Sequence, residues 1–384
     1  MIKSIKEILL REIRFIIHDK NLISILLIAP IFYAFFYTSI YMNKTENDVA
    51  IIIVDIDNST LSKKITRLID AHQLLSVYKT SHDFSEAKAD LLNNRAQAIL
   101  FIPSNFEAEL KQGKGGYIKL LINTTKFLVS NDINKAVNEV IGGLNYEIRL
   151  QYFLTNGYSV EQSKNLIEPL KTVISPLFNF TESYGDFLIP GVLLLILHQT
   201  LLIGLSESIA KERENNSLKD LYYLSNKSIS SLIIGKGIFY GIIYSSYALF
   251  FFTIVFTVFK INVYGSAIAL ALSTLLMIAT VIFLSIFISS FFERKIIAIQ
   301  YLTLSSYPIF LISGYSFPLD SMPMTIKIIS WLIPFTPYSR IAIRITQMGA
   351  SFHHVTLELI HLILLSILYF SAAYIRINYL LKQK

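Results

Sequence analysis

The chain has 384 residues, of which 53% are hydrophobic and only 16% are charged, and its mean hydropathy is +0.53. A soluble domain of this size carries about 25% charged residues, so the composition argues against a soluble protein and favours one with much of its surface in lipid. The formal net charge of +7 is better explained by membrane topology than by nucleic-acid binding, and we expect no nucleic-acid partner. The chain contains no cysteine, which excludes disulfides and thiolate metal sites.

The first predicted element is an amphipathic helix in residues 1–21. Its basic residues lie apart from a row of apolar residues at helical spacing, which is Ile5, Leu9, Ile13 and Ile16. The pattern predicts an interfacial helix on the cytoplasmic membrane surface, the alternative being a solvated, positively charged flank. Residues 22–42 follow as the first transmembrane helix, since a span needs about 20 apolar residues. No small-residue cleavage site follows, so we interpret this stretch as an uncleaved anchor.

Residues 43–185 are long enough to form a domain with its own core. The strand patterns are Val49–Val54, Leu74–Tyr78, Ala98–Ile102 and Tyr117–Ile122, and the helix patterns are Ser59–Ala71, Phe84–Asn93, Asn105–Lys111 and Val129–Leu154. Strands that alternate with helices indicate an α/β domain. Asp55 and Asp57 follow the first strand, where loop solvation or helix capping is a more common role than metal binding. We predict no metal site there.

The segment 186–376 holds five further apolar stretches, which are Phe187–Ala210, Ser231–Phe259, Ser266–Phe292, Ile296–Tyr315 and Val355–Ile375. Between the last two, proline and arginine interrupt a shorter stretch, and we predict an outer re-entrant segment at residues 316–345. The fold class is therefore an α-helical integral membrane protein. It has six transmembrane helices in a one-plus-five arrangement, with an α/β extracytoplasmic domain between the first and the second.

The short loops that alternate along the chain differ in their content of lysine and arginine. The richer set includes the N-terminal segment, the loop with Lys211, Arg213, Lys219 and Lys227, the loop with Arg294 and Lys295, and the tail at 377–384. Basic loops stay cytoplasmic, so both termini should be cytoplasmic and residues 43–185 should lie outside. The usage of Ile, Lys and Asn favours a bacterial cytoplasmic (inner) membrane.

Ionisable residues inside membrane spans are functional candidates. The sequence offers four of them, which are His198, Glu207, Glu358 and His361. We interpret Glu207 as snorkelling or pairing with Arg213, and His198 as either a packing residue or a substrate contact. Glu358 and His361 share one helix face, and we expect them to pair with Arg340 or Arg344.

The segment 211–222 is a predicted cytoplasmic helix. Leu218, Leu221 and Tyr222 are spaced for one apolar face, which could dock on a partner protein; the alternative is a solvated loop with a role in topology only. The chain has no Gly-x4-Gly-Lys-Ser/Thr run, so a phosphate-binding loop and its ATPase activity would reside on another chain. We expect no catalytic residue and no cofactor in this one.

Several short runs, taken in order, resemble the permeases of the type 2 ABC exporter family, in particular multidrug-type members with a large extracytoplasmic domain. They are Ile189-Pro190-Gly191, Lys211-Glu212-Arg213-Glu214, Gly235-Lys236, the stretch Ser313–Pro323 and the stretch Leu332–Tyr338. Asn216-Ser217 stands where the family usually has Gly-Thr. The resemblance covers nearly the whole chain.

This resemblance implies functional roles for two sets of residues. The helix that couples the permease to its ATPase would include Lys211, Glu212, Arg213, Glu214, Ser217, Leu218 and Leu221. An outer gate would include Gly314, Phe317, Pro318, Met322, Pro323, Pro334 and Pro337. The partners would be an ABC ATPase that binds ATP and Mg, a second permease copy or a sister permease, and the lipid bilayer, with room for a periplasmic adaptor protein.

The predicted function is that of a permease that moves a drug-like amphiphile, a lipid or a peptide outward. Two alternatives stay open. An ion-driven secondary transporter would show inverted repeats and several acidic residues at mid-membrane depth, and the sequence shows no repeat. A membrane-anchored ligand sensor would need a cytoplasmic output domain, and the inner segments are short.

Overall fold

The computed structural model describes residues 2–41, 47–170, 172, 175–179 and 182–382. The predicted boundary at residues 42 and 43 and the extreme termini lie outside the described residues. The chain divides into two compact units. One comprises Met1–Lys44 with Pro176–Lys384, and the other comprises Thr45–Ser175.

Two helices open the chain, α1 (Ile2–Ile17) and α2 (Lys20–Ile40). Asp19 caps α2, since its carboxylate accepts a hydrogen bond from the backbone N–H of Asn21 at 3.0 Å. The buried face of α1 includes Ile16 of the predicted apolar row but not Ile13. Ile8 and Glu12 are fully buried, whereas Ile13 is 41% exposed, because packing against other helices selects the buried face and the apolar spacing alone does not.

The smaller unit contains every strand and helix that the sequence predicts. In chain order they are β1 (Val49–Asp55), α3 (Thr60–Asp70), β2 (Leu75–Ser81), α4 (Phe84–Leu92), β3 (Ala98–Ile102), α5 (Phe106–Lys111), β4 (Lys119–Ile122) and α6 (Phe127–Thr155). A short helix that was not predicted follows, α7 (Val160–Ile167), which begins with a capping box formed by Ser159 and Gln162. A serine with a glutamine three residues later is a sequence signal for this start.

The four strands form one sheet in the order β2-β1-β3-β4. β1 pairs in parallel with both β2 and β3, and β4 is antiparallel to β3. β1 is central and apolar, as expected for a strand covered on both faces. The carboxylate of Asp55 accepts hydrogen bonds from the backbone of Asn58 at 2.8 Å and from the hydroxyl of Ser62 at 2.6 Å. Asp57 accepts from the backbone N–H of Glu107 at 3.1 Å, so both aspartates stabilise turns and helix starts.

The larger unit continues with eight helices. They are α8 (Tyr184–Glu214), α9 (Leu218–Leu224), α10 (Ile229–Val258), α11 (Ala267–Ser289), α12 (Lys295–Ile312), α13 (Met324–Trp331), α14 (Phe335–Thr346) and α15 (Thr356–Lys382). Among the described residues six helices are long and apolar enough to cross a membrane, namely α2, α8, α10, α11, α12 and α15 with the turn before it. The predictions of a mainly helical protein with six such helices and a small α/β sheet are confirmed.

α8 is the central helix of this unit. Of its most apolar stretch 83% is buried, against 22% for α2 and for α12. It packs against α2, α10, α11, α12 and α14. A helix that is apolar all round belongs in the interior of a bundle, so α8 connects the two ends of the unit through its core.

Candidate functional site

Eight charged side chains from four parts of the chain meet at one end of the helical unit. We call them the ion-pair cluster: Arg11, Glu12, Asp19, Glu207, Lys211, Glu212, Lys236 and Lys295. Four are cationic and four are anionic, so the cluster is balanced. It joins α1 and the α1–α2 link to α8, α10 and the start of α12.

The centre of the cluster is the pair between Glu12 and Lys236, both fully buried. Nζ of Lys236 lies 2.6 Å from Oε1 of Glu12. The hydroxyls of Tyr240 and Ser208 each donate to Oε2 of Glu12 at 3.2 Å. Gly235 permits this close approach, since a Cβ there would lie 2.8 Å from Cδ1 of Ile8. A buried ion pair whose other lone pairs accept hydrogen bonds links two helices in a specific way. Removal of one partner leaves an uncompensated buried charge.

Glu212 connects this pair to α9. Its Oε2 accepts a hydrogen bond from Arg11 at 2.7 Å, and its Oε1 lies 3.7 Å from Nζ of Lys236. The hydroxyl of Ser217, directly before α9, also donates to Oε2. One carboxylate therefore contacts α1, α10 and the start of α9, so a displacement of α9 would act on both neighbouring helices.

Asp19 holds the second half of the cluster. Its Oδ2 accepts from Lys211 at 2.7 Å and from Lys295 at 2.8 Å. Burial tends to raise the pKa of the Asp19 carboxyl, but hydrogen bonds from the two lysines outweigh burial and hold this pKa well below its ordinary value. The aromatic ring of Phe15 lies between the two halves, with Nζ of Lys211 4.2 Å from its centroid and Nζ of Lys236 5.5 Å.

The structure divides the segment 211–222 that was predicted as one helix. Lys211, Glu212, Arg213 and Glu214 form the last turn of α8. Asn216 has a φ of 53° and breaks the helix, and α9 begins at Leu218. An asparagine tolerates this left-handed conformation better than most residues do, which explains why the break occurs there.

The side chains of this segment also face differently from the prediction. Leu218 and Leu221 are buried within the chain itself, so their apolar face is not free to dock on another protein. Arg213 donates to the backbone carbonyls of Ser290 and Phe292, both at 2.7 Å. Glu214 accepts from the backbone N–H of Lys295 at 2.9 Å, at the start of α12.

The four ionisable candidates in the spans lie in different environments. Glu207 does not pair with Arg213 and does not snorkel, because it is fully buried and its nearest cation is Lys295 at 3.9 Å. Glu358 pairs with Arg344 at 2.9 Å.

Among the residues that the structure describes, neither histidine has a cationic partner, contrary to the pairing expected for His361. Its Nε2 lies 2.8 Å from the carbonyl oxygen of Trp331. His198 is fully buried beside Phe335, with Nδ1 3.2 Å from the side-chain oxygen of Gln199. Gln199 in turn donates to Ser305 and Ser306 of α12 at 3.1 and 2.9 Å, so the pair links the middle of α8 to α12.

A second connection between α8 and its neighbours lies in the first turns of α8, where Pro190 interrupts the backbone hydrogen bonds of the helix. Proline cannot donate to the carbonyl four residues earlier, and the carbonyl of Asp186 instead accepts from the side chain of Gln347 at 3.0 Å. The next N–H, that of Gly191, donates to the hydroxyl of Tyr315 at 2.9 Å, and that hydroxyl donates to the carbonyl of Phe187. The Tyr315 hydroxyl thus stands between two groups that pair directly in a regular helix. We call Pro190, Gly191 and Tyr315 the tyrosine joint.

The residues predicted for the outer gate extend from the end of α12 to the first turn of α14. Gly314 has a φ of 86° and follows α12, and Pro318, Met322 and Pro323 flank the short turn Leu319–Ser321 and the start of α13. Phe317 is 53% exposed. Pro334 and Pro337 lie at the start of α14, where proline is tolerated. The predicted re-entrant segment 316–345 is therefore two short helices joined at a proline.

Sequence reasoning assigned no role to four residues of the ion-pair cluster and the tyrosine joint, namely Glu12, Asp19, Lys236 and Tyr315. Lys236 lies inside the predicted span Ser231–Phe259, and a charge in a span should have marked it as a candidate. The Pro190-Gly191 pair indicates an irregular helix, but it does not identify Tyr315 as the residue that bonds to it. Glu12 carried no signal, because one glutamate on an amphipathic helix is ordinarily solvated.

Two comparisons relate this geometry to known proteins. Residues 20–375 match the family described as ABC-2 family transporter protein. Two relatives, each named probable multidrug ABC transporter permease YbhR, from Escherichia coli strain K12 and from Escherichia coli O157:H7, are 22% identical over 329 residues. The aligned region is 85% of this chain and 85% of each relative. The family match covers most of a chain whose six apolar helices suit a membrane protein, and the chain therefore belongs to the ABC-2 family of transporter proteins.

Proposed function

We propose that this chain is the permease half of an ATP-driven exporter in a bacterial inner membrane, with both termini and the ion-pair cluster on the cytoplasmic side. The α/β unit then lies outside, between the first membrane helix and the other five. A separate ABC ATPase binds ATP and Mg and contacts α9, and a second copy or sister permease completes the transporter. The substrate is a drug-like amphiphile, a lipid or a peptide. The relatives are named as multidrug permeases, which supports the first of these three.

The observation that supports this proposal most is the connection of α9 to the bundle through Glu212. An ATPase that changes shape on binding ATP must displace a helix that is joined to the membrane helices. Ser217, Arg11 and Lys236 all contact the Glu212 carboxylate. A displacement of α9 therefore acts on α1 and α10 together, and through α8 on the far end.

The face of α9 that would meet the ATPase is the one its own chain leaves open. Leu218 and Leu221 are buried, whereas Tyr223 is 61% exposed and Asp220 is exposed beside it. Nζ of Lys227 lies 5.7 Å from the centroid of the Tyr223 ring. Tyrosine is enriched at the centre of protein interfaces, and a polar rim surrounds that centre.

The second permease half would cover α12. This helix exposes Gln300, Thr303 and Tyr307 along one face. Pro308 also leaves the carbonyl of Leu304 without its helical donor. Polar groups in contact with lipid are costly, so we propose that this face borders a pathway shared with the other half.

The test is co-purification of the tagged chain from its native membranes in mild detergent. We expect an ABC ATPase in stoichiometric amount, and we expect Tyr223→Ala to reduce its recovery about tenfold, as for an interface hot spot. Tyr152→Ala is the matched control, since Tyr152 is 64% exposed but lies in the α/β unit. Absence of any ATPase, together with absence of ATPase activity that depends on this chain, would overturn the exporter proposal in favour of an ion-driven transporter or a sensor.

A further inference from the structure

A pocket of about 310 Å³ lies between the end of α11 and the last turns of α15. It is lined by Phe287, Ala372, Ile375, Arg376 and Tyr379. Apart from the guanidinium of Arg376 and the hydroxyl of Tyr379, the lining side chains are hydrocarbon. The pocket lies at the same end of the unit as the ion-pair cluster, since Arg213 at the end of α8 contacts the backbone of Ser290 and Phe292 beside it.

Two aromatic rings hold the Arg376 guanidinium in place. Its Cζ lies 4.6 Å from the centroid of the Phe291 ring and 5.3 Å from that of Tyr379. Cation–π contacts of this kind orient the planar group without neutralising its charge. The guanidinium is therefore positioned before any ligand arrives.

The charge of Arg376 is not compensated by any side chain that the structure describes. Its Nε is buried without an acceptor, and the described ion pairs do not include it, whereas the buried Lys236 and the partly buried Arg344 each have a carboxylate. Arg213 is close enough to repel Arg376 electrostatically, and the carboxylate near Arg213, that of Glu293, is largely solvent-exposed. Arg376 is thus a partly buried and oriented cation with a buried Nε that lacks an acceptor, and such a group is suited to bind an anion.

The surroundings identify the class of that anion. Arginine binds phosphate through two parallel hydrogen bonds, and Arg376 directly follows the apolar stretch Val355–Ile375, at the depth of lipid headgroups. Phe287 and Ile375, the latter 68% exposed, offer an apolar wall for an acyl chain, which free phosphate would not use. The lining contains no aspartate or glutamate that would favour the amine of a zwitterionic headgroup.

We propose that this pocket binds an anionic phospholipid, with the headgroup phosphate on Arg376 and an acyl chain along Phe287 and Ile375. The proposal is independent of the transport function. It predicts that the protein carries a selectively bound lipid when it is extracted from a membrane.

The experiment is native mass spectrometry of the full chain in detergent with phosphatidylglycerol or phosphatidylcholine of the same acyl chains. We expect phosphatidylglycerol to bind roughly tenfold more tightly, and Arg376→Gln to remove that preference, as for the loss of a charge-assisted hydrogen bond. Lys382→Gln is the matched control, because it removes the same charge from the same helix outside the pocket, and it should keep the preference.

Two further arms separate the alternatives. Ala372→Phe fills the pocket without changing its charge, and it should also weaken phosphatidylglycerol binding. This second variant tests the pocket even if Arg376→Gln loses its preference through misfolding. Inorganic phosphate at millimolar concentration should not displace the lipid. Equal binding of both lipids, an unchanged preference in Arg376→Gln, or full displacement by inorganic phosphate would each overturn the proposal.

Discussion

The ion-pair cluster and the tyrosine joint both fasten α8 to its neighbours, but by different physics. Glu212 and Gly191 are separated by about 30 Å of helix rise, which is the thickness of a hydrocarbon core. The cluster joins helices through buried charges, and the joint does so through one hydroxyl, a proline and the absence of a side chain at Gly191. We therefore expect that breaking the ion-pair cluster lowers the free energy of unfolding by more than breaking the tyrosine joint does. The neutral groups of the tyrosine joint can exchange hydrogen-bond partners, whereas a buried charge cannot lose its partner without a large penalty.

The largest effect should come from Lys236→Met, which leaves the Glu12 carboxylate buried and unpaired. We expect the free energy of unfolding to fall by about 3–5 kcal/mol, measured by circular dichroism during unfolding in mixed detergent micelles. The double variant Glu12→Gln with Lys236→Met should recover much of that loss, since no lone charge remains. Lys6→Met, at an exposed position of α1, serves as the control. A loss in Lys236→Met no larger than in this control would contradict a strong charged fastening.

Gly191→Ala tests the shape of the tyrosine joint. A Cβ at this position would lie 2.2 Å from Cζ of Tyr315, so the ring must move. Such overpacking costs about 1–3 kcal/mol, and we expect a loss of stability in that range by the same measurement. Gly143→Ala is the control, because a Cβ at that helical position meets no atom within 4 Å. Equal stability of the two variants would show that Tyr315 does not need the space at Gly191.

Tyr315→Phe removes only the hydroxyl from the joint. The N–H of Gly191 and the carbonyl of Phe187 can then pair directly, so we expect a loss of only about 1 kcal/mol. Hydrogen exchange at the Gly191 amide should report whether the direct bond forms. A loss as large as that of Lys236→Met would refute the contrast between the two ends.

The smallest effect concerns pH and Asp19. Its folded-state pKa is lowered by the two lysines, so its contribution to stability is fully present above the unfolded pKa of about 3.9 and is lost as pH falls further, through the folded value. Between pH 7 and pH 5 we therefore expect no change from the titration of Asp19 itself. The check is the pH dependence of unfolding with Asp19 and with Asp19→Asn, both in a Glu207→Gln background, because the Glu207 carboxyl shares Lys295 with Asp19. The difference should be constant over that range and shrink only below about pH 4.

Much of the fold could be read directly, because hydropathy and short-range periodicity are local properties. The six apolar helices and the eight elements from β1 to α6 follow from residues that are neighbours in the chain. The short helix α7 also has a local signal in Ser159 and Gln162, although the predicted elements do not include it. The break at Asn216 was less accessible, since a charged run such as 211–222 is compatible with either one helix or two.

What only the tertiary structure decided is the identity of the partners. Glu12 and Lys236 are 224 residues apart, and no periodicity relates them. The pairing of Glu207 with Lys295 rather than Arg213, and the burial of Leu218 and Leu221 against the chain itself, likewise depend on which helices are adjacent. The sequence by itself determined a membrane protein with six apolar helices, an α/β unit and the family resemblance, because these follow from local pattern. Which charges are paired, which are left unpaired and which faces remain open depends on packing between distant segments.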